Sequence, residues 1–593
     1  MCYIQGEMKI KRISLLASLA CGLLICSALR TAPPVSAASP QPVRARHGMV
    51  VSTEENASRV GMETLRRGGN AVDAAVAVGL ALAVTHPTAG NLGGGGFMLI
   101  RFKDGRATFI DFRERAPAAA SRTMYLDANG NQTGDSWMKV ESSDGTRESM
   151  LMVGPRASGI PGSVAGFDYA RSKYGSMQWA DLVAPAEKLA SEGFVLDYET
   201  ARSLSSQNTR RLLERYPDSK RIFLKEGGYQ WGDTFVQKDL ASTLEILRKK
   251  GPRDFYEGEI ARRLDAFMKA NNGAIFLDDL KNYKVKEREA LRGTYRGYEI
   301  VTAPPPSSGG VAMIEMLNIL EGVPMKENGF GSAKSVHWAA EAMRRAFADR
   351  AEFMGDPDFT KLPVKGLVDK KYAAGLRASI DVDHAGKSQD VRAGNPAPYE
   401  SMETTHYSVV DKDGTAVSVT YTLNGGYGSG VTAGDLGFLL NNEMDDFTAV
   451  PGKPNMYGVL QSEANTIAPG KTPLSSMTPT VVTKDGQLVL VLGSPGGPTI
   501  INTVFNTVVN FLDFGMNVQA AVDAPRIHHQ WMPDRLQMEN GFSPDTIELL
   551  KARGHNLSVG ASIGDCNAIA IDPRSGDLLG AADSRHMGKA VGY

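Results

Sequence analysis

The chain has 593 residues, with 65 Lys and Arg against 66 Asp and Glu, which gives a net charge of -1. Such neutrality offers no overall electrostatic attraction to nucleic acid or anionic membranes, so we predict no nucleic-acid partner. The hydrophobic fraction of 42% and charged fraction of 22% are ordinary for a soluble globular protein. The length favours a large multilayered domain or two lobes.

The first 37 residues predict an export signal. Lys9, Lys11 and Arg12 precede an apolar run from Ile13 to Leu29, and Val35-Ser36-Ala37 offers a cleavage site of small residues. The run is short for a membrane span of about 20 residues, so a cleaved signal is favoured over an anchor. We therefore expect a periplasmic or secreted protein.

Cysteine usage agrees with this expectation. Cys2, Cys21 and Cys26 would leave with the signal, so only Cys566 would remain and the mature protein would have no intramolecular disulfide. A lipid on Cys21 is disfavoured because Ser18-Leu19-Ala20 is a poor match to a lipoprotein signal. An exported protein without disulfides depends on a large core, which this length can supply.

The mature chain begins with two predicted helices. Residues 56–67 have helical spacing, and Asn70 can cap a second helix with Asp73 as an acid near its start. The second helix, from Asp73 to about Val84, is apolar on all sides and should be buried.

A glycine run follows at residues 91–97. It could cradle a phosphate, but no Lys-Ser/Thr follows it, so close backbone packing in a tight turn is favoured. Residues 160–380 are mostly helical, and Ser335 to Met354 predict an amphipathic helix. Residues 384–403 are rich in Gly and Pro and poor in apolar residues, which predicts a mobile loop leading to Thr404.

The remainder of the chain is predicted to be rich in strands. Strand pairs are expected on both sides of two polar turns, together with two helices and two late strands. These strands are Thr405 to Val410, Ala416 to Thr422, Thr480 to Thr483, Leu488 to Leu492, Ala568 to Ala570 and Leu578-Leu579, and the helices are Thr499 to Phe514 and one beginning at Ser543 and ending at Gly554. The alternation predicts sheets covered by helices.

Thr404 stands where the predicted loop enters a strand. A threonine hydroxyl within a chain is a poor nucleophile, but cleavage of the preceding peptide bond would place a free α-amine beside it. The reference pKa of that amine is about 7.7–8.0, which suits a general base near neutral pH. From this pattern alone, a structural threonine is the more common case.

Several motifs together resemble those of the γ-glutamyltransferase family over nearly the whole mature chain. They occur in the family's order and spacing, and it is this combination that makes the resemblance specific. They are Gly93-Gly94-Gly95-Gly96-Phe97-Met98, Asp111-Phe112-Arg113-Glu114, Ala303-Pro304-Pro305-Pro306-Ser307-Ser308-Gly309-Gly310, Thr404-Thr405-His406-Tyr407-Ser408-Val409, Asn441-Asn442-Glu443-Met444-Asp445-Asp446-Phe447, Pro473-Leu474-Ser475-Ser476-Met477 and Gly493-Ser494-Pro495-Gly496-Gly497.

The resemblance implies the α+β fold of the N-terminal-nucleophile hydrolases, an αββα sandwich of two stacked antiparallel sheets between helix layers. It also implies self-cleavage between Glu403 and Thr404. The products would be a large chain, residues 38–403, and a small chain, residues 404–593, held together as a heterodimer. Some relatives have Gln before the cut, and attack on the carbonyl of residue 403 does not need that side chain. Neither a cofactor nor a metal is implied.

The resemblance assigns substrate-binding roles to residues whose chemistry suits an α-amino acid. Arg113 matches the arginine that binds the α-carboxylate, with Ser475 and Ser476 as hydroxyl donors, and a guanidinium can bind both carboxylate oxygens. From the residues alone, a surface ion pair with Glu114 or a neighbour is the alternative for Arg113. The implied ligands of the α-ammonium group are Asn424, Glu443 and Asp446.

The remaining implied roles concern the reaction itself. Gly496 and Gly497 would donate backbone N–H groups to the oxyanion, which typically lowers a barrier by several kcal/mol. Thr422 would support the Thr404 hydroxyl, and a lid at about residues 451–462, containing Tyr457, would exclude water. Glutathione and other γ-glutamyl compounds would acylate Thr404, and water, amino acids or peptides would accept the γ-glutamyl group by ping-pong kinetics.

Four alternative interpretations are open to test. Residues 560–564 spell the Gly-x-Ser-x-Gly pattern of α/β-hydrolases, but a strand is predicted after them where that pattern needs a helix. His528 and His529 invite a zinc site, but adjacent histidines on a regular element point apart, so they are interpreted as structural. A glutaryl acylase of the same fold and an unprocessed secreted binding protein are the broader alternatives.

Overall fold

The computed structural model describes residues 39–130, 151–393, 405–451, 458, 460 and 463–593. Its main compact unit extends from Pro42 to Tyr593. The predicted signal, the cleavage site Glu403-Thr404 and the lid residue Tyr457 lie outside the described residues. Among the described residues, no helix has both the length and the apolar character that crossing a bilayer requires.

Two seven-stranded antiparallel sheets form the centre of this unit. The first sheet has the order β19-β2-β10-β11-β3-β4-β7, and the second has the order β1-β18-β17-β13-β12-β9-β8. The strands in chain order are β1 (Val43–Ala45), β2 (Met49–Ser52), β3 (Gly95–Arg101), β4 (Ala107–Asp111), β5 (Phe194–Val195), β6 (Thr234–Phe235), β7 (Lys286–Arg288), β8 (Leu291–Tyr295), β9 (Tyr298–Thr302), β10 (Thr405–Val410), β11 (Ala416–Thr422), β12 (Thr480–Lys484), β13 (Gln487–Gly493), β14 (Ile527–His528), β15 (Leu536–Met538), β16 (Leu557–Val559), β17 (Asn567–Ile571), β18 (Leu578–Ala581) and β19 (Lys589–Gly592).

Side chains alternate between the two faces of each sheet. In β3, Met98 and Ile100 join the cluster that packs against helices, whereas Phe97 and Leu99 join the cluster between the two sheets. This period of two is the ordinary geometry of a strand, and here both faces are buried. The αββα sandwich is therefore confirmed.

Some helices pack against the outer faces of the sheets, and others pack against those helices. They are α1 (Glu55–Arg66), α2 (Ala71–Thr85), α3 (Ser163–Tyr174), α4 (Trp179–Glu192), α5 (Tyr198–Ser205), α6 (Gln207–Leu213), α7 (Pro217–Phe223), α8 (Lys238–Lys250), α9 (Asp254–Glu257), α10 (Glu259–Ala270), α11 (Leu277–Asn282), α12 (Gly309–Leu320), α13 (Met325–Asn328), α14 (Ala333–Phe353), α15 (Val364–Leu367), α16 (Lys370–Ala378), α17 (Thr499–Leu512), α18 (Val518–Asp523) and α19 (Pro544–Ala552). The core of the first sheet includes α1 to α4, and that of the second includes α12, α14 and α17.

Two predicted helices form in the structure, but only one of them has the predicted burial. Asn70 caps α2 in a capping box with Asp73, and every residue of α2 is buried, as expected. Helix α14 forms where it was predicted but is not amphipathic in its surroundings. Most of its charged residues, among them Arg344 and Arg350, are buried as well, because neighbouring elements cover most of its polar side; Lys334 and Glu352 are exposed.

The glycine run packs closely against the backbone of other segments, as predicted. A Cβ on Gly94 would lie 1.9 Å from the carbonyl oxygen of Thr422, and one on Gly96 would lie 2.4 Å from that of Thr420. Only glycine allows β3 to lie this close to β11 and the segment that follows it. This contact brings the start of β3 and the end of β11 to the same edge of the first sheet.

Candidate active site

The candidate active site lies at the edge of the first sheet where β10 begins and β11 ends. Thr405, which follows Thr404 in the chain, pairs with Tyr421 in the antiparallel ladder, so Thr422 lies at the same edge. The Thr422 hydroxyl oxygen accepts a hydrogen bond of 2.8 Å from the backbone N–H of Asn424. Thr405 is fully buried, and its hydroxyl oxygen lies 3.3 Å from that of Thr53.

Asn424 is held by the segment that carries the acidic residues. It has a φ of 70°, a left-handed conformation that Asn tolerates better than most residues, and its amide nitrogen donates to the carbonyl of Asn442 over 3.0 Å. Glu443 and Asp446 belong to a 3₁₀ turn, Glu443–Asp446. Because such a turn has about three residues per turn, these two carboxylates point the same way.

Arg113 follows the end of β4 and reaches these carboxylates. It is completely buried, and its guanidinium forms ion pairs with Glu443 and Asp446. It also lies 3.6 Å from the Glu114 carboxylate and donates to the Leu474 carbonyl over 3.3 Å. The alternative of a surface ion pair for Arg113 is therefore wrong, because the pairs are fully removed from solvent.

This cluster has more acidic than basic groups and little water to screen them. Burial opposes the charge on Arg113, but the carboxylates of Glu443, Asp446 and Glu114 together raise the pKa of its guanidinium. Burial also raises the pKa of all three carboxyls, although Arg113 opposes the rise. The charged arginine therefore faces carboxyls whose ionised forms are disfavoured by burial and favoured by the arginine itself.

Ser475 and Ser476 lie beside this cluster in a loop before β12. The Ser476 hydroxyl accepts a hydrogen bond from the guanidinium of Arg350, which also donates to Ser308 over 3.2 Å. The Ser475 hydroxyl oxygen accepts a 3.1 Å hydrogen bond from the backbone N–H of Met477. Both hydroxyls are fully buried next to Leu474, which Arg113 contacts.

Arg350 was not identified from the sequence as a site residue. It lies in α14, is 1% exposed and donates a hydrogen bond to the Ser476 hydroxyl. Burial lowers the pKa of its guanidinium, and the Asp446 carboxylate opposes that shift. Its position in a helix predicted to be amphipathic did not show whether this arginine would be buried or exposed.

Gly496 and Gly497 lie between the end of β13 and the start of α17. Their φ values are 124° and 64°, which favour glycine. Their carbonyl oxygens accept hydrogen bonds from the backbone of Thr499 and Ile500, over 3.2 and 3.0 Å. Neither glycine N–H donates to another described residue, and both lie near the positive end of the helix dipole of α17. These N–H groups therefore suit an anionic oxygen.

Two motifs that could have suggested other chemistry are structural. The Gly560–Gly564 segment is followed by strand β17 and not by a helix, so it does not form a nucleophile elbow. The ring of His528 is held between Asn502, at 2.7 Å, and Gln530, at 2.9 Å. These contacts agree with the structural interpretation of His528.

A third cluster, His337, Glu341 and His555, has the residue types of a metal site, and its ligand atoms lie within 4.8 Å of one another. The two histidine rings are joined by a 2.9 Å hydrogen bond. Glu341 is paired with Arg344 and Arg345 on its own helix. With the Glu341 charge already compensated by two arginines, this cluster is better described as a buried hydrogen-bond network than as a cation site.

The family model for gamma-glutamyltranspeptidase matches residues 57–593. The glutathione hydrolase proenzyme of Escherichia coli (strain K12) is 50% identical over 583 residues, covering 98% of each chain. Among solved structures, the cephalosporin acylase from Bacillus halodurans is 26% identical with a TM-score of 0.82, covering 95% of this chain and 98% of that one. The γ-glutamyltranspeptidase of Helicobacter pylori is 40% identical with a TM-score of 0.54, covering 61% of this chain and 97% of that one. A match across nearly the whole length, in sequence and in fold, shows that the chain belongs to the γ-glutamyltranspeptidase family.

Proposed function

We propose that this enzyme cleaves itself before Thr404 and then transfers the γ-glutamyl group of glutathione and related compounds to water, amino acids or short peptides. The observation that carries the proposal is the buried cluster of Arg113, Glu443 and Asp446. A γ-glutamyl group presents an α-carboxylate and an α-ammonium side by side, and this cluster offers a partner for each. Arg113 binds the carboxylate, and the acidic side chains with Asn424 bind the ammonium.

The reacting groups stand at the neighbouring edge of the sheet. The Thr404 hydroxyl attacks the γ-carbonyl carbon, and its own α-amine takes the proton. Gly496 and Gly497 stabilise the oxyanion with their N–H groups, and Thr422 orients the nucleophile. The leaving amine departs, and water or an acceptor amine then attacks the ester. Tyr457 covers the pocket during both steps.

The organisation of the chain belongs to the same proposal. Residues 1–37 are a signal, 38–403 the large chain and 404–593 the small chain, and the protein is exported to the periplasm or the medium. The two chains stay together because their strands alternate within both sheets. In the first sheet, for example, β10 and β11 of the small chain lie between β2 and β3 of the large chain.

Self-cleavage is tested by the intact mass and N-terminal sequence of the purified wild type and a Thr404→Ala variant. Thr405→Ala is the matched control, since it removes the adjacent hydroxyl but not the proposed nucleophile. We expect a second chain starting Thr-Thr-His-Tyr in the wild type, a whole chain for Thr404→Ala, and a cleaved chain for the control. A wild-type chain that remains uncleaved would favour the alternative of an unprocessed secreted binding protein.

A glutaryl acylase is the second candidate, and the fold shared with the cephalosporin acylase from Bacillus halodurans favours it. A glutaryl group lacks the α-ammonium that Glu443 and Asp446 would bind. The two functions are separated by comparing kcat/KM for a γ-glutamyl anilide and for the glutaryl anilide of the same leaving group. We expect the γ-glutamyl compound to be preferred by at least about tenfold, because the missing ammonium leaves buried carboxylates unpaired.

A further inference from the structure

The carboxylate side of the proposed donor pocket is rich in negative charge. Arg113, to which the proposed function assigns the donor's α-carboxylate, is already paired with Glu443 and Asp446. The Glu114 carboxylate lies 3.6 Å from the same guanidinium. An incoming carboxylate therefore meets acidic groups close to its arginine, and a second positive charge on this side of the pocket would offset their repulsion.

Arg350 brings a second guanidinium to this side. It lies in α14, and its Nη2 donates to the Ser476 hydroxyl while its Nε donates to the Ser308 hydroxyl over 3.2 Å. The guanidinium carbon lies 4.9 Å from the ring centre of Phe347, one turn earlier in the helix, which adds a cation–π contact. The Asp446 carboxylate opposes the lowering of the Arg350 pKa by burial, so both guanidiniums interact with this carboxylate.

The contact with Arg350 determines how the Ser476 hydroxyl can bond. A hydroxyl has one proton to donate and two lone pairs that accept. The Arg350 guanidinium occupies a lone pair of Ser476, and this is the only hydrogen bond of that hydroxyl among the described residues. Its proton therefore stays available, and the adjacent cation makes the hydroxyl a stronger donor. A buried hydroxyl in this state suits an anionic oxygen of a ligand.

The same arginine reaches Ser475 through Ser308. The Ser308 hydroxyl accepts from Arg350 and donates to the Ser475 carbonyl over 2.8 Å, and the Ser308 backbone N–H donates to that carbonyl over 2.7 Å. The Ser475 hydroxyl oxygen accepts from the backbone N–H of Met477, so its proton is also left to donate. One buried guanidinium thus holds two neighbouring serines, both with hydroxyls that are set to donate.

We propose that Arg350 is a positioning residue for the α-carboxylate of the γ-glutamyl donor. It acts through Ser475 and Ser476, which it holds as hydrogen-bond donors, and it adds positive charge to that side of the pocket. The inference rests on the proposed function and adds a specificity to it: the pocket selects donors whose α-carboxyl group is free. A donor amidated at that group presents N–H groups to hydroxyls that themselves donate, and it brings no charge to either guanidinium.

The test compares two chromogenic anilides with the same ammonium and the same leaving group. One is the γ-glutamyl anilide with a free α-carboxylate, and the other is its α-carboxamide. In Arg350→Met we expect the preference for the free acid, as a ratio of kcat/KM values, to fall about tenfold or more, because hydrogen bonds strengthened by a charge are lost. The fall should come from a higher KM for the acid, with kcat within about threefold of wild type.

Arg345→Met is the matched control on the same helix. Arg345 is 6% exposed, pairs with Glu341 and donates to the Ser379 hydroxyl over 2.9 Å. Its loss also removes a buried ion pair, but its printed partners do not include the two serines, so the preference for the acid should stay as in wild type. Arg350→Lys keeps the charge without the planar fork that spans two hydroxyls, so its preference should lie between those of Arg350→Met and wild type.

Other outcomes separate this inference from the proposed function. Equal losses for the acid and the amide in Arg350→Met overturn the positioning role, and so does a fall in preference that Arg345→Met reproduces. If Arg350→Met does not fold or process, Arg350→Gln replaces it, and an unchanged preference there overturns the role. A wild type that hydrolyses neither anilide refutes the proposed function itself. A wild type that prefers the acid, together with a variant that keeps this preference, refutes only the role of Arg350.

Discussion

Replacing Arg113 with Met should destabilise the protein and remove donor binding together. The guanidinium is completely buried against Glu443 and Asp446. Its loss leaves buried carboxylates without a counter-charge, and breaking a buried pair from one side typically costs about 3–5 kcal/mol. Unfolding entropy is about 2.1 cal/mol/K per residue. Over the roughly 550 residues of the compact unit this corresponds to a fall in Tm of about 3–4 °C.

A second substitution distinguishes charge from packing. Adding Glu443→Gln to Arg113→Met removes one of the stranded carboxylates, so we expect part of the lost stability to return. Activity should not return, because the donor's α-carboxylate still lacks its arginine. Arg122→Met is the matched control. Its ion pair with Glu463 is exposed, at 49% and 66% of the two side chains, so its loss should cost less than about 1 kcal/mol.

The assay is thermal unfolding of the processed enzyme, followed by circular dichroism at one scan rate, together with donor kinetics. The reasoning is refuted if Arg113→Met melts with the wild type, or if its KM for the γ-glutamyl donor is unchanged. It is also refuted if the double variant regains donor hydrolysis, since that would place the carboxylate-binding group elsewhere.

Three further predictions concern pH and backbone geometry. Burial lowers the pKa of His406 to about 3, so its contribution to stability is present above the pKa of the unfolded chain and is lost as pH falls. The wild type therefore loses unfolding free energy between pH 6.5 and 5, and His406→Asn should reduce this loss by about 2 kcal/mol in urea unfolding. Equal acid sensitivity of both proteins would contradict this. Burial, and then the charge of a nearby aspartate, raise the pKa of Glu315, so the contribution of this residue to stability is lost as pH rises. Glu315→Gln should leave the free energy of unfolding little changed near pH 5 and increase it at pH 9. A stability gain that is largest at pH 5 would contradict this prediction. A Cβ on Gly496 would lie 2.5 Å from the Thr499 hydroxyl oxygen, so Gly496→Ala should lower kcat by about 100-fold or more. The control Gly486→Ala, at an open turn with a φ of 76°, should leave kcat unchanged. Similar kcat values for the two variants would contradict the oxyanion role of Gly496.

The local elements could be predicted because their causes are local. The strand Ala416–Thr422 was predicted with the bounds it has, and the cap of α2 was predicted from Asn70 and Asp73. The turn at Asp485 and Gly486 forms as expected, with both residues in the left-handed region. In each case, neighbours a few residues apart decide the backbone conformation.

The site residues were predicted differently, through the resemblance of whole motifs to a family. That resemblance assigned Arg113, Glu443 and Asp446 to one pocket, and the fold brings them into contact across more than 300 residues of chain. The roles of Thr404, Glu403 and Tyr457 stay predictions from the motifs alone. Arg350 was missed because no short pattern surrounds it.

The sequence by itself determined the periodicities of the helices and strands, the caps and turns, and the order of motifs that identifies the family. Only the tertiary structure decided which charged groups lose their water. Helix α14 carries a polar face in sequence, yet Arg344 and Arg350 on that face are buried. Likewise Glu114 follows Arg113 directly, but its raised pKa depends on burial and on Glu443 from a distant turn. Desolvation and charge pairing depend on what packs around a side chain, and distant segments supply that packing only after folding.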